Sequence, residues 1–108
     1  MTEHLVVEHQ ASQYRFSLVV PEGTAVLDYR LRGPNVMEMF HTFTPHSARG
    51  RGVASTLVRG ALDYVRGNNF RIIPACWYVA NFMEKHEEYR DLLADDGGIE
   101  RPAPACEI

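Results

Sequence analysis

Arg49-Gly50-Arg51-Gly52-Val53-Ala54-Ser55 is the stretch whose reading organises the chain. It stands between a strand-like run, Val36 to Thr44, and a helix-like run, Val53 to Asn68. Its two glycines allow a tight turn and let a ligand approach the backbone without a Cβ in the way. The first turn of the following helix leaves N–H groups without intrahelical partners. Those amides, with the positive end of the helix dipole, favour an anion, phosphate above all. Arg49 and Arg51 add positive charge on either side of Gly50. An isolated Arg-x-x-Gly-x-Ala is more often an ordinary surface turn, so the flanking sequence has to decide.

Downstream of the loop the apolar period is about 3.6. Val53, Leu57, Val58, Ala61, Leu62 and Val65 share one helical face, and Ser55, Arg59, Asp63 and Arg66 the other. Gly67-Asn68-Asn69 stops the helix. Phe70 to Cys76 then reads as a buried strand, Trp77 to His86 as a second helix with Tyr78, Phe82 and Met83 toward the core, and Glu87 to Leu93 as one more turn or short helix. Upstream the period is two. Leu5 to His9, Tyr14 to Val20, Thr24 to Arg32 and Val36 to Thr44 read as four strands, separated by Gln10–Gln13, Pro21-Glu22-Gly23 and Gly33-Pro34-Asn35. Turns this short favour an antiparallel meander. The strand, helix, strand order after it favours a right-handed crossover that sets Val36–Thr44 parallel to Phe70–Cys76. The fold class expected is mixed α/β (α+β), in the order ββββ-α-β-α, with a mostly antiparallel sheet.

The chain has 108 residues, enough for one domain with a single core. Residues 1–94 are expected to form that domain. The Gly-, Pro- and Asp-containing segment 95–108 is expected to be a loosely ordered tail. A net charge of −3 argues against nucleic acid as a partner, since phosphate-backbone binding needs a basic face. No apolar run approaches the roughly 20 residues of a bilayer span, so no membrane partner is expected. Met1-Thr2-Glu3-His4 is not a basic segment leading into an apolar core, so a secretory leader is not expected. Two cysteines far apart make neither a disulfide framework nor a zinc pair, and a reducing, cytoplasmic setting is the default. His4, His9, His46 and His86 show no ligand spacing, and no metal is assigned.

Pro74 carries a second signal. It has no N–H and cannot donate to a neighbouring strand. If Phe70–Cys76 lies beside Val36–Thr44, pairing should fail near Pro74 and a wedge should open between the strand ends. Backbone groups left unpaired there would suit an extended ligand containing amides. An edge proline with no such role is the alternative reading.

The succession of strand, Arg-x-x-Gly-x-Ala, amphipathic helix, strand and helix resembles the acetyl-CoA-binding core of the GNAT superfamily of N-acetyltransferases, and most closely its small single-module branch. The features that carry the resemblance are His41-Thr42, Arg49 to Ser55, Ile72-Ile73-Pro74-Ala75-Cys76, Tyr78-Val79 and Phe82. It implies a minimal GNAT-like core that uses acetyl-CoA as co-substrate and transfers its acetyl group to an unidentified amine or protein acceptor. It also implies places for the parts. Gly50, Arg51, Gly52, Val53, Ala54 and Ser55 would hold the pyrophosphate, with Arg49 beside it. Thr42, Phe43 and Thr44 would pair with the pantetheine arm. Cys76 would be a nucleophile near the thioester, and His41 a base or proton shuttle.

Two routes of acyl transfer stay open: direct attack by an amine deprotonated by His41, or prior acetylation of Cys76. Each residue also has a plainer reading. Cys76 can be a small buried hydrophobe. His41, in alternation with Met37, Met39 and Phe43, can be a core histidine. Glu38 reads as a solvated strand position, and Tyr78 and Tyr89 as packing, with a general acid for the departing thiolate as their alternative role. About four residues separate the first two strands, so nothing there walls off an acceptor site. The site is then open or completed by another molecule, the chain being a monomer or weak homodimer. A non-catalytic acyl-CoA-binding or regulatory module is the alternative function. A Walker-type nucleotide loop is disfavoured, because Arg51-Gly52-Val53 stands where its Lys and Ser/Thr would be.

Overall fold

The computed structural model describes residues 6–94. Strands β1 (Val7–Gln10), β2 (Arg15–Val20), β3 (Gly23–Leu31) and β4 (Val36–Phe43) form the antiparallel meander. Strand β5 (Arg71–Pro74) lies parallel to β4, and the sheet order is β1-β2-β3-β4-β5. Helix α1 (Val53–Gly67) makes the crossover, α2 (Trp77–Lys85) follows β5, and Glu87–Leu92 forms a 3₁₀ stretch. This is the order read from the periodicities. Expected tail residues 95–108 lie outside those described, as does Leu5 of the first strand. Among the described residues, no helix is long and apolar enough to cross a membrane.

The core lies on one face of the sheet. All six apolar residues named above on α1 are buried, and they join one cluster with Phe16, Leu18, Leu27, Met37 and Met39. Burying each large side chain contributes about 1.5–3 kcal/mol, enough to orient a helix whose other face is charged. Val79, Phe82 and Met83 of α2 enter the same cluster. Tyr78 is half-buried: it packs against this cluster, as expected, and also borders the glycine loop. Arg15, Val19, Asp28, Arg30, Glu38 and His41 occupy the opposite, uncovered face.

Two irregularities position the site. β5 ends at Pro74, opposite Met39, two residues before the expected end at Cys76. Ala75 N–H still bonds to Met39 O at 2.9 Å, and there the link between the strands stops. β4 runs on to Phe43 with no partner on that side. The second irregularity is a bulge. Tyr29 pairs with Met39 but Asp28 pairs with His41, so Phe40 is an extra residue in β4. Simple alternation would place His41 with Met37 and Met39 in the core. The bulge reverses the faces beyond it: Thr42 is fully buried and His41 stands on the uncovered side. The core-histidine reading is thereby corrected.

Candidate active site

Gly50 and Gly52 have φ of 85° and 81°, the left-handed conformation that favours glycine, and a Cβ at either would meet no atom within 4 Å. Gly52 is the N-cap of α1, and no side chain caps that helix start. The first-turn amides therefore open into a cleft of about 340 Å³, bordered by Thr44, Arg49, Gly50, Gly52 to Ser55 and Tyr78. Thr44 is buried, and its Oγ1 has no hydrogen-bond partner. A polar ligand in the cleft would find this hydroxyl ready to bond. The orphaned hydroxyl, the uncapped amides and the space above two glycines fit a phosphate-bearing coenzyme.

The two arginines part company. Arg49 borders the cleft and donates from Nε to Thr44 O at 2.9 Å, which anchors the loop to the end of β4. Arg51 turns away and pairs through Nη2 with Glu22 Oε1 at 2.7 Å, at the β2–β3 turn. Tyr78, a candidate general acid as well as a packing residue, lies on the cleft wall. Burial pushes its phenol above the ordinary value of 10.0, and a hydrogen bond with Ser55 offsets part of that rise. It is therefore a neutral O–H donor throughout the physiological range.

Thr42 lies one side-chain repeat back along β4 from Thr44, about 7 Å. Its Oγ1 is 3.4 Å from Cys76 Sγ, and both residues are buried. Cys76 is the residue at which the chain leaves β5 and starts α2. Its sulfur is disulfide-bonded, and the other cysteine of the chain, Cys106, lies outside the described residues. As a nucleophile Cys76 would first have to be reduced to the thiol.

His41 and Cys76, named together from sequence, are not brought into one contact. Thr42 faces Cys76, and its neighbour His41 faces the other side of the sheet, where Nδ1 lies 3.1 Å from Asp28 Oδ2. Arg15 grips the same carboxylate, with Nε 2.6 Å from Oδ1 and Nη2 3.4 Å from Oδ2. Sequence reasoning missed Asp28 and Arg15 because their relation to His41 exists only through strand register. Phe43 flanks this region and carries the Arg49 guanidinium 6.0 Å above its ring. No group of metal-ligating side chains is found among the described residues.

Comparison with known proteins gives the family. Residues 15–92 match the family described as GCN5-related N-acetyl-transferase. Protein NATD1 of Bos taurus is 33% identical over 82 residues, covering 74% of this chain and 73% of that protein. Protein NATD1 of Danio rerio is 30% identical over 97 residues, covering 86% and 88% respectively. The NMR solution structure of a GCN5-like protein from Staphylococcus aureus superposes with a TM-score of 0.62 at 23% identity, covering 86% of this chain and 91% of that one, which speaks to the fold.

Proposed function

The chain belongs to the GCN5-related N-acetyltransferase family, and on that premise we propose that it binds acetyl-CoA in the cleft at the start of α1 and passes the acetyl group directly to an amine. The observation that carries the reading is the uncapped N-terminus of α1, opening beside the unpartnered Thr44 hydroxyl. Amides of residues 53–55 and the Arg49 guanidinium would take the phosphates. The unpaired edge of β4 beyond Met39, with Thr42, Phe43 and Thr44, would take the amide-bearing arm along the wedge. Bound there, acetyl-CoA supplies a thioester, an acyl group already activated toward amines.

The chain's own groups have distinct tasks. His41 Nε2 takes the proton that an ammonium acceptor must lose before it can attack. The Tyr78 phenol holds a proton for the departing thiolate. The acceptor would come from the uncovered face of the sheet, where His41 is 28% exposed. The contact of Thr42 with Cys76 favours a second reading, in which a reduced Cys76 is acetylated first.

Calorimetric titration with acetyl-CoA, followed by CoA release in the presence of a panel of amines, tests the proposal. Binding and amine-dependent release, lost in His41→Gln and kept in Cys76→Ala, is the expected result. Loss in Cys76→Ala with an acetyl adduct on the wild type would shift the choice to the second route. Binding without release for any amine would make the chain a coenzyme-binding module, and absence of binding would overturn the assignment of the cleft.

A further inference from the structure

Building on the reading of His41 as the base, we propose that Asp28 is a positioning residue that sets the His41 tautomer, and that Arg15 holds Asp28 in that role. A carboxylate offers only lone pairs, so the His41 Nδ1 that lies 3.1 Å from Asp28 Oδ2 carries the hydrogen. The other ring nitrogen, Nε2, is then left with its lone pair, the form a proton acceptor needs. Arg15 donates to both oxygens of the same carboxylate, which fixes its plane.

This arrangement is built by register and not by chance contact of flexible chains. Arg15 pairs with Asp28 across β2 and β3, and Asp28 with His41 across β3 and β4. The three side chains form one row on one face of the sheet. Between Tyr29↔Met39 and Asp28↔His41 the register slips by one residue. Without that slip Asp28 would face Phe40, and His41 would stand opposite Leu27, a core residue. The bulge thus creates the Asp28–His41 pair and turns the imidazole to the side from which an acceptor can arrive.

Asp28→Asn is the decisive variant. With Arg15 still donating to the side-chain oxygen, the amide N–H₂ is left facing Nδ1. Nδ1 must then accept, and the hydrogen moves to Nε2. Ring ¹⁵N shifts of His41 should report the Nδ1–H form in the wild type and the Nε2–H form in Asp28→Asn. CoA release with the amine that the wild type uses should fall ten- to a hundredfold in kcat, with affinity for acetyl-CoA unchanged by calorimetry. Asp28→Glu should restore the Nδ1–H signature and most of the rate. An unchanged tautomer in Asp28→Asn overturns the proposal, as does a full rate despite the flipped ring. If His41→Gln itself turns over normally, the base reading fails first. An inactive His41→Gln beside a flipped but active Asp28→Asn sinks the positioning role alone.

Discussion

Thr42 Oγ1 and Cys76 Sγ lie 3.4 Å apart in the buried wedge between β4 and α2. Should the sulfur act as a thiolate, a donated hydrogen bond from Thr42 would stabilise it by about 1.5–3 kcal/mol. Under reducing conditions, Thr42→Val should then slow any acetyl adduct at Cys76 by about tenfold or more, followed by intact-protein mass against time. Adduct formation at the wild-type rate would leave the hydroxyl a packing contact only.

Gly52 should tolerate no side chain without loss of the coenzyme. At φ 81° an L residue costs about 1–2 kcal/mol, which a folded domain survives. The side chain of Gly52→Glu would project a negative charge at the mouth of the cleft proposed to hold the pyrophosphate. We expect a native circular dichroism spectrum and CoA affinity reduced at least a hundredfold. Retained affinity would mean that the pyrophosphate lies elsewhere.

Tyr78→Phe removes the neutral donor from the cleft wall while keeping the ring. The expected outcome is a kcat lowered by about ten- to a hundredfold, with acetyl-CoA dissociation within a few-fold of the wild type. A change confined to dissociation would identify Tyr78 as a binding residue that touches the coenzyme and nothing more.

Gly60 of α1 sits against β1. A Cβ there would come within 2.6 Å of Val7 Cγ2 and 2.7 Å of Val7 Cβ, with no flexible end to yield. The helix itself would favour alanine by about 1 kcal/mol, but overpacking costs about 1–3 kcal/mol. The clash should win. Gly60→Ala should lower the melting temperature, and adding Val7→Ala should recover most of the loss. A Gly60→Ala protein that melts higher than the wild type would show that β1 yields freely.

His9 governs an acid limb of stability. Burial against the core lowers its pKa below the ordinary 6.5. Its ring stacks on Phe16 at 4.3 Å, and Nε2 lies 2.6 Å from the Tyr29 hydroxyl. A depressed folded pKa means that the unfolded chain takes the proton first, so this stability is full above pH 6.5 and is lost as pH falls through the lower folded value. Thermal melts at pH 7.5 and 5 should show a drop for the wild type that is smaller in His9→Phe. Equal drops would assign the acid limb to other groups.

Much of the fold was legible because its signals are local. The period-two runs, the turns at Pro21-Glu22-Gly23 and Gly33-Pro34-Asn35, and the stop at Gly67-Asn68-Asn69 each act over a few residues. Pro74 announced the end of β5 for a reason contained in its own ring. The loop at Arg49 to Ser55 was legible as a glycine turn that opens into α1, since glycine conformation and helix-end amides follow from neighbours in the chain. The ion pair of Arg51 was not legible, because its partner Glu22 stands at the β2–β3 turn, far away in the chain. Tyr78 was legible in part: its packing on the core follows from helical spacing, but the cleft it also borders exists only once α1, β4 and α2 are assembled.

Periodicity, turn chemistry and helix ends are short-range properties, so the chain alone set which segments become strands and helices, their order, and the glycine turn before α1. Tertiary structure alone decided which way His41 and Thr42 face. That choice rests on one extra residue, Phe40, in the pairing of β4 with β3. A slip of one residue reverses every side chain beyond it, and only the packed sheet, weighing Thr42 against His41 for the buried side, selects the register that puts Thr42 on Cys76 and His41 on Asp28.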